Sequence, residues 1–366
     1  MKASKEIIMR RLATIRKIND IRPIEGADRI EVCTVDGWEV VCKKDEFKLG
    51  DLVVYIEIDS IVPDKPEFEF LRDRKFRVRT IRLRKQISQG LILSTNILPQ
   101  NKKYCENDNV TDIIGVIKYD PEGDKERTLL TQKADNNKNP IIKFLMRFKW
   151  FRKRYIKPRK GGFPSWIVKT DEERIQNKTA MFEIEKANGT EFTVTEKIDG
   201  QSVTYFLEKN GRKFNFGVCS RNILLKNPDN SSYWTIAKNL QIENVLRQLI
   251  GNNDRIVLQG EILGDGIQGN KYKVSGYDFN AFNLIYQDHK ASTQEVAETL
   301  KPFGIKTVSI VDENFKLKDT IQEMVEYAKE DSVLLKRKRE GVVIRANNKD
   351  LSFKVINPEF LLQEEE

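Results

Sequence analysis

The 366-residue chain has a single histidine, His289, and only four cysteines, Cys33, Cys42, Cys105 and Cys219, none in a CxxC pair. Every imidazole-based metal cluster, and every Ser-His-Asp or Cys-His catalytic arrangement, would have to rest on His289 alone. The cysteines are too few and too scattered for a disulfide framework or a zinc cage, and they read as reduced, packed thiols. Long apolar runs are missing as well: no stretch approaches the roughly 18 to 20 residues needed to span a bilayer. Met1 to Lys17 alternates charge with apolar residues where a signal peptide would carry an apolar core. The expectation is an intracellular, cytoplasmic protein with no membrane partner and no secretion signal. GxxxxGK[ST] is also absent, which removes P-loop chemistry.

What is present is the composition of a folded, polar-surfaced protein, with 39% hydrophobic and 33% charged residues, and wholesale disorder is excluded. At roughly 100 to 200 residues per domain, the length suggests two or three domains. Lys and Arg number 64 against 55 Asp and Glu, a formal net charge of +9 that suits a polyanionic partner without naming one.

From Arg11 to Ser94 short strands are separated by turn signals at Asp36-Gly37, Leu49-Gly50-Asp51 and Gln89-Gly90, with period-two patterning over 52–58 and 76–80. An all-β, OB-like barrel of about five strands would hide the edges of such a run. Basic residues at 72, 74, 75, 77, 79, 82, 84 and 85 would place alternate side chains on one face of a strand. That face is either plain solvated surface or a groove that tracks phosphates, with Arg79 and Arg84 as candidates. Residues 120–162 have linker composition. Within them, Lys143 to Lys160 carries nine Lys or Arg, no acid and five aromatics. Cations interleaved with aromatics can hold a nucleic-acid backbone and stack unpaired bases, through Lys149, Arg152 and Arg154; a basic linker that packs its aromatics against a domain is the alternative.

Beyond residue 163 the pattern is mixed. Helices are expected over 171–186, 232–250 and 292–300, the last with capping-box spacing at Ser292 and Glu295, and from Asp319 as N-cap to about Lys329. Strands are expected over 191–195, 202–208, 215–220 and 255–263. Without strict βαβ alternation this is an α+β domain built on antiparallel sheet. The expected organisation is 1–119 as the OB domain, 120–162 as linker and 163–366 as the second domain.

Gly264-Asp-Gly266-Ile-Gln-Gly269 matches GxGxxG but fails its context, because Asn270 to Gly276 does not open a helix that could receive a pyrophosphate. A turn between strands explains it. Thr195-Glu196-Lys197-Ile198-Asp199-Gly200 is more informative, since it ends an apolar strand with a lysine between carboxylates. A lysine amine attacks phosphorus only when deprotonated; adjacent carboxylates raise its pKa, and a bound divalent metal ion lowers it. Downstream follow, in order, Cys219-Ser-Arg-Asn222, Leu258-Gln-Gly-Glu-Ile262, Asn280-Ala-Phe-Asn-Leu284, Glu340-Gly-Val-Val-Ile-Arg345 and Ser352-Phe-Lys-Val355.

This series resembles the motifs of the covalent nucleotidyltransferase superfamily of ligases and capping enzymes, and 163–177 resembles the lead-in peptide of ATP-dependent RNA ligases. Only twelve residues follow Lys354, so the OB domain that DNA ligases and capping enzymes place after the last motif has no room. The preceding barrel, with Arg79 to Gly90, resembles the N-terminal OB domain of the Naegleria-type RNA ligases.

The resemblance implies a nucleotidyltransferase domain that uses ATP and Mg²⁺ or Mn²⁺, with Lys197 attacking the α-phosphorus. It gives Asp199 and Glu340 to the metal, directly or through water, and Lys354 to the α-phosphate. Glu261 would accept from the ribose, Phe282 would stack on adenine, and Glu196 would lie at the adenine edge. Arg174, Arg221 and Asn222 would contact phosphates or the 5′-phosphate strand. One departure is Ser352, where the family often has a second lysine; either Lys349 takes that place or the α-phosphate has one lysine fewer. The expected partner is RNA with 3′-OH and 5′-phosphate ends at a nicked duplex, bound by a monomer, in RNA repair. The alternatives are a DNA or mixed-substrate nick ligase and a non-catalytic OB-type RNA-binding protein.

Overall fold

Four consecutive residues, Val53 to Ile56, are buried, a sign that the strand Leu52–Ile56 is covered on both faces instead of one. In the computed structural model, which describes residues 11–119, 160–225, 231–335 and 337–362, this is the case. Val54 and Ile56 pack with Ala13, Ile15, Phe68 and Val78, while Val53 and Tyr55 pack with Cys33, Trp38, Val40 and Ile92. The strand pairs antiparallel with Ala13–Lys17 and Leu91–Ser94. Further ladders join Asp20–Pro23, Ile30–Val35 and Trp38–Lys43, and Thr80–Leu83 with Gln86–Gln89. Among the described residues these ladders do not run on into one closed barrel. All four cysteines are free thiols, three of them buried.

The chain divides into two compact units, Met1–Arg152 with Pro358–Glu366, and Lys153–Asn357. The short helix Pro358–Leu362 belongs to the first, where Leu361 packs on the Cys33 and Trp38 cluster. The basic stretch 72–85 is not a single strand. Arg72 and Arg74 end a 3-10 helix, Pro66–Arg74, and Arg84 and Lys85 take left-handed φ values of 48° and 67° in a hairpin turn. Arg72 is paired with Asp64 and Glu69, and Arg77 with Asp59.

The second unit is built on two sheets. The larger has seven strands in the order Lys160–Gly162, Ile223–Leu225, Lys213–Ser220, Gln201–Asn210, Arg255–Gly264, Tyr277–Tyr286 and Lys306–Thr307, all antiparallel except the last pair. The helices Ser232–Asn239, Ile242–Leu249 and Thr293–Leu300 bury Ile236, Leu246 and Leu300 against its Tyr205, Leu207 and Leu258. The smaller sheet runs Ile310–Phe315, Phe192–Lys197, Gly341–Ala346, Ser352–Ile356. The helices Thr179–Ala187 and Ile321–Ala328 cover one of its faces, with Phe182 and Met324 against Val194, Ile344 and Phe353. Each large apolar side chain buried this way contributes roughly 1.5 to 3 kcal/mol relative to exposure.

Three helix boundaries differ from the sequence reading. The helix expected from Asp171 begins only at Thr179, since Asp171 is drawn to Lys354 and Glu172 to Ser352 on the neighbouring strand. The helix expected over 232–250 is broken at Gln241, whose φ of 48° ends one apolar face and starts another. The last one is capped by Thr320, whose hydroxyl accepts from the Glu323 amide, one residue after the expected Asp319. The capping box of Ser292 and Glu295 forms as read. Among the described residues no helix is long and apolar enough to cross a membrane.

Candidate active site

Register in the smaller sheet decides which side chains meet. Lys197 faces Gly341, Thr195 faces Val343, and Val343 in turn faces Lys354, while Arg345 faces Ser352. Because alternate residues of a strand share a face, Lys197, Thr195, Arg345, Ser352 and Lys354 lie on one side and Val194, Ile344 and Phe353 on the other. Two turn positions finish the arrangement. Glu340, just ahead of its strand, points one oxygen, Oε1, at Lys197 Nζ, 2.6 Å away. Asp199, just past the end of the Lys197 strand, receives Lys271 Nζ at 2.5 Å on Oδ2, and its amide donates to Tyr272 Oη at 2.9 Å. Gly200 is required by close approach: a Cβ there would lie 2.5 Å from the Ile262 carbonyl oxygen and 2.8 Å from Glu261 Cγ.

The charges in this pocket are tightly linked. Burial pulls the Lys197 pKa down, but Glu340, Glu261 and Asp199 outweigh it and the net shift is upward. Burial raises Glu340, which Lys197 opposes and Asp199 reinforces. Burial also pushes Glu261 up to about 8, with Glu340 and Asp199 reinforcing the shift and Lys197 opposing it. Lys354 moves the other way, to about 8, through burial first and then the cations Arg174 and Lys197, against Asp171. Glu340 Oε2 is buried with no hydrogen-bond partner. Among the described residues no three His, Cys, Asp or Glu side chains converge as a ready ligand set. An unpaired carboxylate oxygen beside Asp199, both hard donors, suits a hydrated divalent cation held through its waters.

Cations and acids form a second cluster. Asp171 Oδ1 lies 3.0 Å from both Lys354 Nζ and Arg221 Nη2. Glu172 accepts from Ser352 Oγ at 2.6 Å and stands 3.7 Å from Arg345, whose other nitrogen donates to Thr195 Oγ1. Arg174 is buried and bridges by its backbone to Lys354. Asn222 accepts from Lys169. Phe282 sits at a β-bulge, where Gln259 pairs with Asn283 and Gly260 with Ala281. The extra residue is thereby re-aimed, and Phe282 packs with Ile198 and Leu263 beside the lysine-bearing turn.

Two candidate side chains make their contacts outside this cluster. Glu196, one residue before Lys197, turns to the opposite face, where its oxygens accept from Ser332 Oγ at 2.5 Å and the Val333 amide at 2.7 Å. Lys349 is bound to Glu185 at 2.5 Å and takes no place beside Lys354. In the other unit, Arg79 is half-buried and Arg84 exposed. Lys149, Arg152 and Arg154 lie outside the described residues. The sequence reading missed Lys271, Tyr272 and the counter-ion role of Asp171. Their only signal was position, in the loop after the GxGxxG string and in the acidic lead-in.

An OB-fold domain model matches residues 12–95 and an RNA ligase model matches 190–356. A search of curated proteins found no match. Among solved structures, a Naegleria gruberi RNA ligase mutant with AMP and Mn is similar, with a TM-score of 0.77 and 32% identity over 96% of this chain and 98% of that one. The same enzyme with PPi gives 0.76 and 33% over the same shares. Similarity at that level spans both units, and the RNA ligase match covers every strand that carries the lysine and carboxylate cluster; the chain belongs to the RNA ligase family.

Proposed function

We propose that this protein is an ATP-dependent ligase that seals RNA 3′-OH and 5′-phosphate ends, at nicks in duplexes during RNA repair, through a lysyl-AMP intermediate on Lys197. RNA as the substrate class follows from the family. The observation that carries the chemistry is the Lys197 ammonium at 2.6 Å from a buried, half-satisfied Glu340 in a pocket shared with Asp199, Glu261 and Lys354.

In the first step Lys197 Nζ gives up a proton, for which Glu340 Oε1 is the nearest placed acceptor, and forms a bond to the α-phosphorus while pyrophosphate leaves. Lys354 offers a point charge to the α-phosphate and Arg221 a fork to neighbouring phosphates. Phe282 provides an aromatic face for the base. Asp199 and Glu340 would hold Mg²⁺ or Mn²⁺, whose charge offsets the carboxylates that otherwise keep Lys197 protonated. The AMP then passes to the 5′-phosphate, and the 3′-OH displaces it.

The test incubates the protein and Lys197→Ala with Mg²⁺ and α-labelled ATP or GTP, followed by ligation of nicked, splinted and free-ended substrates. The expected result is ATP-specific, acid-stable label that is lost in the variant, with nicks sealed fastest and RNA required on the 3′-OH side. Ligation that persists in a folded Lys197→Ala protein would reject the assignment, and GTP-specific label would move it to capping chemistry.

A further inference from the structure

The segment from Gly264 to Gly276 is a pinned loop between two antiparallel strands. Gly264 has a φ of +129°, and a Cβ there would lie 1.9 Å from the Gly276 carbonyl oxygen, so the loop is closed at its neck. The Asp265 amide donates to that oxygen at 2.9 Å, and Asp265 Oδ2 accepts from the Gly276 amide at 3.0 Å. Inside, Asn270 Nδ2 donates to Val274 O at 2.8 Å and its Oδ1 accepts from the Val274 amide at 3.0 Å. These contacts present two adjacent side chains to one residue: Tyr272 receives the Asp199 amide, and Lys271 holds the Asp199 carboxylate at 2.5 Å with only 18% of its side chain exposed. An ammonium so placed occupies the carboxylate that a divalent cation needs.

We propose that Lys271 is a positioning residue that reserves Asp199 for exchange, so that a divalent metal ion enters the site by displacing the Lys271 ammonium from the carboxylate. The inference rests on the assignment of Asp199 and Glu340 to the metal. Three features support the exchange. The loop fixes the lysine stem by backbone closure, independently of the carboxylate, so the ammonium can leave without unfolding its support. Tyr272 holds the Asp199 amide and not its carboxylate, so the residue has an anchor separate from the lysine. The exchange also keeps the buried carboxylates compensated, because the divalent ion takes over from the ammonium beside Asp199 and Glu340, both of which the site buries. Metal binding to the protein without nucleotide is therefore weak. For a pair closed about nine-tenths of the time, apparent affinity falls by about tenfold, because only the open fraction can take the metal.

The experiment measures free Mn²⁺ by electron paramagnetic resonance over protein cleared of AMP with pyrophosphate. Lys271→Met is expected to bind Mn²⁺ about tenfold more tightly than the parent, and Lys271→Arg, which keeps the charge, to bind as the parent does. In an Asp199→Asn background, Lys271→Met should change nothing, because the pair is already broken. Unchanged or weaker Mn²⁺ affinity in Lys271→Met overturns the exchange, as does tightening of equal size in the Asp199→Asn background, which would mark a general charge effect. Mn²⁺ binding that survives both Asp199→Asn and Glu340→Gln overturns the metal assignment itself and the exchange with it. Lys271→Gln, compared by near-ultraviolet circular dichroism, replaces Lys271→Met if the latter does not fold.

Discussion

Raising the pH from 7 to 9 should weaken productive ATP capture by discharging Lys354. Burial brings this lysine's pKa to about 8, with Arg174 and Lys197 acting the same way and Asp171 opposing. A lysine with a lowered pKa carries its charge below that value and loses it above, so about 90% of the free protein has the phosphate-binding cation at pH 7 and about 10% at pH 9. The kcat/KM of the adenylylation step reports ionisation of the free enzyme. Lys197 contributes an opposite limb, since its raised pKa leaves the nucleophilic amine scarce and rising pH supplies more of it. Lys354→Arg separates the two, because a guanidinium stays charged throughout. The ratio of parent to Lys354→Arg kcat/KM cancels the Lys197 limb and any fixed cost of the larger side chain. It should fall about tenfold between pH 7 and 9, as the two charged fractions dictate. Initial rates of label transfer from α-labelled ATP to protein supply both numbers. A ratio that stays flat across this range would refute the claim that Lys354 meets the phosphate as a titrating cation.

Three further perturbations bear on other parts of the site. Gly200→Ala should force the Arg255–Gly264 strand away from its 2.5 Å approach, costing roughly 1 to 3 kcal/mol; melting should show a drop of several degrees, and unchanged Tm with unchanged adenylylation would contradict the contact. Asp171→Asn removes the carboxylate that Lys354 and Arg221 share at 3.0 Å, so at pH 6.5, where Lys354 stays charged, KM for ATP should fall by about three- to tenfold; a rise would show that Asp171 orients these cations instead of competing with phosphate. Lys349→Ala removes a half-exposed lysine from the buried Glu185, which Thr190 Oγ1 still holds, and should cost on the order of 1 kcal/mol by denaturant titration, with adenylylation unchanged.

The lysine, its carboxylates and the antiparallel sheets were legible because each motif lies in or beside a strand with a clear apolar pattern. The ladder from Phe192–Lys197 through Gly341–Ala346 to Ser352–Ile356 converts that order along the chain into one face. Phe282 was legible as a residue, but the bulge that re-aims it leaves no periodic signal. Lys271 and Tyr272 were hidden because a loop closed by left-handed backbone has no period at all. The acids 171–173 looked like a helix N-terminus, where acids are favoured; Asp171 and Glu172 have partners on a strand more than 170 residues onward, and local patterning cannot report them. The basic run 72–85 failed for the opposite reason: its alternation is real in sequence, but the chain turns twice within it.

Lys197 and Glu340 are 143 residues apart in the chain, and both strands that flank Phe192–Lys197 are made after it. During synthesis, which proceeds from the N-terminus, the most buried strand of the catalytic sheet therefore waits with two open edges. A product terminated between residues 197 and 310 would present an unpaired apolar strand and no Glu340 or Lys354. Such fragments would be chemically silent yet prone to stick to one another, so a cell making this protein has more to fear from interrupted translation than from premature activity.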